Sequence, residues 1–530
     1  MNKETQKYND YLKRHHPALW LAINHHRTHK NHRMTFNHYE YLKAIFLDNN
    51  PWKCFLKSTQ NGLTEWVTVE AMAKALRERS VFHVMPTGAL KDRFVKNRFD
   101  RSVQFTELYQ QIFLAEEKKK LYGKFSESMS LKHVGGGTIA FVGSNSPSAF
   151  TEFPADDVII DEYDQCDQKN ILMADERLSN SDDPRRIYIS NPTVEGFGID
   201  DIYAESDKMH WFIKCVNCGH WFEMDWFKTV VREIGEEDYA VRDPLWAPYE
   251  KDDARVICPK CAKPNDRYMP GEWVKEVPSI KYKSGYQISK IFSSKTRLDE
   301  LLDKFDKALV NPDKMQRFWN ADLGKAYTAD GAKITLGDLH KATGDHKMNS
   351  TIKGYPVMGI DVGALCNYVI GYIQPDGSVK IGEIGVLQTN ANVLAMKAQQ
   401  KGIKIIVIDA RPEMFLVRTL KELFPRTISC FYAEEATRET VDRYRNVRVD
   451  RTTTLDSVKE GLVTGRYILP IDWQRVKGFS SQMMAATRIF DPEAHKGQGA
   501  YKWTEGSKAD HYHHAFNYMS IAARLVAFLR

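Results

Sequence analysis

The stretch KSTQNGLTEW, residues 57–66, lies between an apolar run, CFL (54–56), and a helix-like segment, VTVEAMAKAL (67–76). That is where a phosphate-binding loop sits, yet the letters depart from the Walker A pattern G-x-x-x-x-G-K-[ST]. Lys57 stands at the first glycine position, Gly62 at the second, Leu63 at the lysine position, and Thr64 keeps the final hydroxyl. A phosphate loop needs backbone N–H groups at a helix N-terminus, a cation for the β/γ-phosphates and a hydroxyl for Mg²⁺. A lysine at the front of the loop can supply the cation from the opposite side. Taken alone, the stretch is either a phosphate loop whose lysine has moved or an ordinary strand-to-helix turn.

A second stretch bears on the choice. In DDVIIDEYDQCD (156–167) the apolar Val158-Ile159-Ile160 runs into Asp161-Glu162. This is the Walker B form, a buried strand ending in an Mg²⁺-holding Asp and a Glu placed to activate water. An acidic loop after a strand is the plain alternative. RIYISNPTVEG (186–196) follows, a strand ending in Ser190-Asn191-Pro192-Thr193. Such a polar tip can sense a γ-phosphate, and a simple Asn-Pro turn accounts for the same letters.

Around these stretches, short apolar runs alternate with helical patterns: VFHVM (81–85), TIAFVG (138–143), DVIID (157–161), RIYIS (186–190). The alternation predicts an α/β domain with a largely parallel sheet. At 530 residues the chain is too long for one ordinary core, so at least two domains are expected. No run of 18 apolar residues occurs and the first residues lack an apolar signal core, which predicts a soluble, intracellular chain. Lys+Arg exceed Asp+Glu by 75 to 69, too small a margin to decide for nucleic acid on charge alone. The histidines of the first residues, His15, His16, His25, His26, His29 and His32, read as a polar helix with an exposed basic face in preference to a metal tract.

Cys215-V-N-Cys218 and Cys258-P-K-Cys261 are two C-x-x-C knuckles, with turn residues Gly219 and Pro259 beside them. In a chain without a secretory signal they read as a tetrahedral zinc site, although the interval 219–257 is long for a ribbon loop. Four thiolates leave no open position, so the zinc braces an insertion or docks DNA or a partner and does not catalyse. Cys54, Cys166, Cys366 and Cys430 read as ordinary buried or half-buried thiols.

After a polar stretch, 327–354, a second α/β segment opens with YPVMGIDVG (355–363). A hairpin turning at Pro375-Asp376-Gly377, the strand KIIVIDA (404–410) and a closing helix from DHYHHAF complete it. Asp361 lies in the first strand, Asp409 ends another, and Asp510 starts the helix. If the two strands are parallel neighbours, Asp361 and Asp409 emerge at one edge and can hold metal ions on a phosphate. Asp510 is alternatively an N-cap. His511 and His514 read as ligands, phosphate contacts or helix surface.

The ordered set of KSTQNGLT, VMPT (84–87), VIIDEYD, ISNPT, the two C-x-x-C pairs, PGEWV (270–274), GYQIS (285–289) and FWNADLGKAY (318–327) resembles the lambdoid GpA-like family of phage terminase large subunits. VRVDRTTTLDSVKEGLVTGRYILP (447–470) and the D-H-x-x-H-A-x-x-Y ending resemble the nucleases of such proteins. The resemblance spans roughly residues 40–520, and in that family a front-shifted lysine is the normal form of the loop.

It implies an N-terminal ASCE-type P-loop ATPase domain with a zinc-ribbon-like insertion and a C-terminal RNase H-like nuclease domain. The expected bounds are a helical segment over 1–38, the ATPase domain over 39–330 with its insertion at about 210–265, a linker over 331–353 and the nuclease over 354–530. It further implies that Lys57, Ser58, Thr59, Gln60, Asn61, Gly62, Leu63 and Thr64 hold ATP. Asp161 and Thr64 hold its Mg²⁺, Glu162 is the general base, and Ser190 to Thr193 couple hydrolysis to motion. An arginine finger is expected, with Arg98 and Arg101 as unranked candidates. Asp361, Asp409 and Asp510 would bind Mg²⁺ or Mn²⁺ for DNA cleavage. The implied partners are double-stranded DNA, a small terminase subunit, the portal of a procapsid and further copies in a ring, with no membrane, in the host cytoplasm. Rival readings are a helicase-nuclease of recombination or repair and a zinc-dependent DNA-binding scaffold without catalysis.

Overall fold

The structure, a computed structural model, describes residues 3–37, 39–120, 130–234, 238–241, 254–309, 311–328, 332–433, 440–491, 500–504 and 509–529. Parts of the segments delimited from sequence lie outside the described residues: 1–2 and 38 of the N-terminal stretch, 235–237 and 242–253 of the cysteine-bearing insertion, 329–331 at the linker, and 434–439, 492–499, 505–508 and 530 of the C-terminal segment. The chain divides into two compact units, Met1–Tyr327 and Thr328–Arg530. Among the described residues no helix is long and apolar enough to cross a membrane.

The strands of the first unit are β1 (Trp52–Lys57), β2 (Ser80–Met85), β3 (Leu131–Val134), β4 (Gly137–Gly143), β5 (Asp157–Asp161), β6 (Arg185–Ser190), β7 (Met209–Lys214), β8 (Trp221–Glu223), β9 (Val231–Ile234), β10 (Asp238–Val241), β11 (Val256–Ile257), β12 (Pro264–Asn265), β13 (Gly271–Lys275) and β14 (Lys283–Ile288). Ten of them form one sheet in the order β13-β7-β14-β1-β6-β5-β2-β4-β3, with β8 added on β7. From β7 to β4 the neighbours are parallel, as the alternation of runs predicts. Every residue of β5 is buried, which is why it reads as an unbroken apolar run: both faces of a parallel sheet are covered.

Parallel strands deliver their C-terminal ends to one edge, so Lys57, Asp161 and Ser190 share it. Period-2 alternation then sorts the faces. Phe55 and Ile159 pack into the core beneath the helix Leu63–Ala75, while Cys54, Leu56, Val158 and Ile160 pack into the core on the other side. Lys57 and Asp161 therefore fall on the face of the helix that follows the loop.

The N-terminal stretch is not one polar helix with an exposed basic face. It forms two helices, Lys3–His15 and Pro17–Asn24, and the second buries Ala18, Leu19, Leu21 and Ala22. His16 and His26 are buried, and His26 bonds Glu65 at 3.2 Å and Tyr109 at 3.3 Å. The local run of histidines hides this, because their partners lie far along the chain.

The second unit holds β15 (Tyr355–Val362), β16 (Leu365–Ile373), β17 (Val379–Gln388), β18 (Ile405–Asp409), β19 (Thr427–Tyr432), β20 (Asn446–Val449), β21 (Tyr467–Ile468), β22 (Thr487–Asp491) and β23 (Ala500–Thr504). Seven of these form a sheet ordered β20-β19-β18-β15-β16-β17-β21. β15, β16 and β17 are an antiparallel meander, and β18 lies parallel to β15. The helices Ala391–Gln400 and Met414–Leu423 pack on one face, with Met358 and Ile360. The helix His511–Leu529 packs on the other, with Val357. The stretch read as a linker, 331–353, belongs from 332 onward to this unit. Ile334, Leu339 and Ala342 are buried in its core, and Thr335 and Asp338 cap a short helix, Leu336–Lys341. Three apolar residues spaced through a polar stretch were too few to read as a core face.

Gly359 marks how closely the last helix approaches the sheet. A Cβ there would lie 2.0 Å from the Met519 nitrogen and 2.3 Å from the Ala515 oxygen. Gly359→Ala is expected to destabilise the second unit by about 1–3 kcal/mol, the scale of overpacking, because only backbone can yield. Thermal unfolding of the variant against the parent chain tests this, and an unchanged melting temperature would remove the close-approach argument.

Candidate functional site

At the shared strand edge of the first unit, the Lys57 ammonium lies 2.7 Å from Glu162 Oε1 and 3.2 Å from Asn191 Oδ1. The loop after β1 turns through Gln60 at φ 59° and Gly62 at φ 87° before the helix begins. Ser58 N–H donates to Ile288 O at 2.8 Å and Thr59 N–H to Ala321 O at 2.9 Å, so the front of the loop is pinned to β14 and to residue 321. Asn61 is buried, with its side-chain amide donating to Ser58 O at 2.8 Å and its main-chain carbonyl accepting the Tyr41 hydroxyl at 2.8 Å. Leu63 is buried under the helix, and Thr64, the helix's second residue, is half-buried.

Asp161 is buried and accepts the Glu162 N–H at 3.0 Å. Burial first, then the Glu162 charge, push its pKa above the ordinary carboxylate range, while Lys57 and Arg98 oppose the rise. For Lys57, burial works against the ammonium but Glu162 and Asp161 outweigh it, and the pKa ends above the usual lysine value. Glu162 itself has a left-handed backbone, φ 53°, rare for a residue with a side chain. Its Oε1 holds Lys57, and its Oε2 is buried without a hydrogen-bond partner.

The structure separates the two arginines. Arg98, in the π-helical turn Val95–Phe99, lies 3.8 Å from Glu65 and acts electrostatically on Asp161. Arg101 instead stacks over the Phe105 ring at 5.6 Å.

Sequence reading missed Asp164, three residues past Asp161. Its buried carboxylate accepts the Thr193 N–H at 2.9 Å, the Thr193 hydroxyl at 2.8 Å and the Ile199 N–H at 2.7 Å. Its own N–H donates to Ser190 Oγ at 3.1 Å. The Glu162 turn and the polar tip of β6 are thus tied together. A second acid after Asp-Glu was the only sequence signal available.

The four knuckle cysteines converge. Cys215 and Cys261 sulfurs are 3.7 Å apart, Cys218 and Cys258 are 3.8 Å apart, and all four lie within 4.8 Å of one another. Zinc at about 2.3 Å from each thiolate gives tetrahedral edges of about 3.8 Å, so the residues fit the ion. Beside this module, Trp226 packs on Phe318 at 5.2 Å and Phe227 on Trp319 at 4.8 Å. The helix Trp226–Thr229, eight residues past the first knuckle, therefore packs on the segment whose residue 321 pins the loop. Reduced protein is expected to carry about one zinc per chain, and Cys215→Ser or Cys261→Ser to lose it. Metal analysis reads this directly, and zinc-free protein with intact thiols would remove the site.

In the second unit Ile360 pairs with Ile408 in parallel register, which sets Asp361 and Asp409 side by side at the ends of β15 and β18. Both alternate with residues of the core under the last helix, Val357 for one and Ile405 and Val407 for the other. Asp361 accepts from His511 Nδ1 at 2.9 Å when that nitrogen carries the proton. Asp409 accepts the Arg411 N–H at 3.1 Å, and its pKa is pushed up to about 6 by burial first, against the Arg411 N–H, and by the charge of Asp361.

Asp510 faces His514 at 3.2 Å and Arg451 at 3.8 Å. His514 in turn meets the Tyr432 hydroxyl at 2.8 Å. The three carboxylates are thus near one edge, but among the described residues only the cysteines bring three or more ligand atoms within 4.8 Å of one another. Tyr432 carries no sequence signal, and Arg451 stands in the stretch 447–470 without being marked out within it.

Residues 44–272 match the family model described as phage terminase large subunit gpA, ATPase domain. Among solved structures, the chain is similar to the large terminase of bacteriophage HK97 at 12% identity, over 96% of this chain and 98% of that one, with a TM-score of 0.49. It is similar to the large terminase of a thermophilic bacteriophage at 11% identity, over 90% and 94%, with a TM-score of 0.27. The large terminase ATPase domain of a Thermus phage matches at 14% identity, over 54% and 92%, with a TM-score of 0.30. No curated protein matches. The Lys57 loop, the Asp161–Glu162 strand end, the Asn191 tip and all four knuckle cysteines lie inside the span that matches the phage terminase large subunit gpA ATPase domain.

Proposed function

We propose that the chain is a large terminase subunit, an ATP-driven motor that translocates double-stranded viral DNA into a procapsid and an endonuclease that cuts concatemeric DNA. The observation that carries the motor half is the Lys57 ammonium, held 2.7 Å from Glu162 and 3.2 Å from Asn191 at the mouth of the 58–62 loop. A buried ammonium at that point is what a β/γ-phosphate requires. Mg²⁺ arrives with ATP as substrate, with Thr64 and Asp161 to hold it. When phosphate takes the lysine, Glu162 is released from its ion pair to accept a proton from the attacking water. Arg98, on the same chain, adds positive charge beside the reacting phosphate, in preference to Arg101.

For the nuclease half, Asp361 and Asp409 would hold divalent ions, which supply charge neutralisation of the scissile phosphate and a nucleophile. The burial of Asp409 beside the Asp361 charge, which raises its carboxyl, fits a site meant for a cation. Asp510 joins them through its position at the head of the last helix, with Arg451 and His514 as its polar support. The zinc module braces the ATPase through Trp226 and Phe227. The partners in this reading are a small terminase subunit, the portal and further copies in a ring, in the host cytoplasm. The test is protection of DNA from added nuclease by this protein with purified procapsids. ATP-dependent protection is expected, and its absence alongside normal ATP hydrolysis would favour the helicase-nuclease reading.

A further inference from the structure

The segment FWNADLGKAY (318–327) lies outside the set of Lys57, Asp161 and Glu162, yet it packs against the same loop. Its first part, Phe318–Leu323, is a π-helical turn, a form of backbone often found at functional sites. The turn ends at Gly324 in left-handed conformation, φ 65°. A Cβ on Gly324 would lie 2.6 Å from Ser58 N, 2.9 Å from Lys57 C and 2.6 Å from Ile288 O, so this backbone rests directly against the front of the loop.

Asn320 stands at the centre of the contact. Its side-chain amide donates to Thr193 O at 2.7 Å and to Lys325 O at 2.9 Å. Its main-chain carbonyl accepts the Asn191 amide at 3.4 Å, while that amide also donates to Lys57 O at 2.9 Å. Asn191 Oδ1 in turn receives the Lys57 ammonium at 3.2 Å. Thr193, held from below by Asp164, is thus gripped from the other side by Asn320. A side-chain amide with both N–H groups on carbonyls is a specific fastener: no other neutral side chain of that size offers two donors.

We propose that Asn320 is a positioning residue for ATP hydrolysis, fixing Asn191 and the 191–193 tip so that Asn191 orients the Lys57 ammonium against phosphate. This rests on the ATPase reading of the Lys57 site. Asn320 touches neither the ammonium nor Glu162; its side chain acts through Thr193 O, two residues past Asn191.

The substitution Asn320→Asp keeps shape and turns two donors into an acceptor facing two carbonyls. It is expected to lower kcat for ATP about ten-fold or more while KM changes by less, the split expected when a loss falls more on the transition state than on the bound ground state. Asn191→Ala should do likewise. Because the two act as one unit, the double variant should be no slower than the slower single variant, a non-additivity that independent residues do not show. Steady-state ATPase on the full chain, with thermal unfolding and binding of a fluorescent ATP analogue, reads all three.

Multiplying losses, an unchanged kcat, or a kcat loss that appears only with a fallen melting temperature would each overturn the proposal. If Asn320→Asp does not fold, Asn320→Ser, which keeps one donor, is judged by the same split between kcat and KM. Turnover in the parent chain that Lys57→Ala does not reduce would instead overturn the ATPase reading, and this proposal with it, and that outcome is visible before any Asn320 variant is made.

Discussion

Glu162→Gln is expected to stop ATP turnover while leaving ATP bound, and Lys57→Ala to lose both. The two differ because their side chains meet different parts of the substrate. Glu162 offers a carboxylate oxygen, Oε2, that is buried and unbonded, and Gln keeps the volume while losing the basicity. General-base catalysis is worth about 10²–10⁴-fold, so kcat should fall by that much. Asp161 and Thr64 remain to hold Mg²⁺, and Lys57 remains for phosphate, so affinity for a fluorescent ATP analogue should change little. Lys57→Ala removes the cation within hydrogen-bond reach of Glu162 Oε1 and leaves Asp161 and Glu162, two neighbouring acids, without it. The approach of a polyanion then meets two uncompensated carboxylates, and binding should weaken together with turnover. Steady-state ATPase and equilibrium binding on both variants separate the roles. Full turnover in Glu162→Gln would show that another group takes the proton, and normal binding in Lys57→Ala would mean that this loop does not hold phosphate.

What could be read from the sequence was what local chemistry dictates. DVIID is apolar throughout its middle because both faces of β5 are covered, and the Asp at its end is visible as the first polar letter after a buried run. The knuckles are legible because thiolates so closely spaced have few other uses. The moved lysine is readable only through its neighbours in the chain; in the structure Lys57 ends β1 on the same face as Asp161, within reach of Glu162 and Asn191. Asn320 was illegible for the opposite reason. Its partners, Thr193 and Asn191, lie more than a hundred residues away, and asparagine in a polar-aromatic stretch carries no local signal. The N-terminal histidines misled in the same way, since His26 is buried by a tyrosine and a glutamate that no nearby letter announces. The strand that flanks β1 was equally hidden. GYQIS carries no sign of its sheet position, although β14 is the parallel neighbour of β1 and its Ile288 pins the loop.

Asp361→Asn and Asp409→Asn should each abolish DNA cutting and leave ATP hydrolysis intact. Register is the first reason. Ile360 opposite Ile408 places the next residue of each strand side by side, and period-2 alternation turns both carboxylates to the face of the last helix. Burial first, and then the like charge of Asp361, push the Asp409 carboxyl up to about 6. A divalent ion bound there would offset both costs. Residues that merely support a metal ligand cost about 10–100-fold when removed, so loss of a carboxylate that contacts the ion should cost more than about 10²-fold. Arg451→Ala, which takes a cation from Asp510 without removing a carboxylate, should fall within the smaller range. ATP turnover should persist in all three, because Lys57, Asp161 and Glu162 belong to the other unit. Nicking of supercoiled DNA with Mg²⁺ or Mn²⁺, measured beside ATPase on the same preparations, distinguishes the outcomes. Cutting at the parent rate by Asp361→Asn would move the nuclease site away from this strand edge, and an equal loss in Arg451→Ala would mean that Asp510 and its support, not the β15–β18 pair, dominate the chemistry.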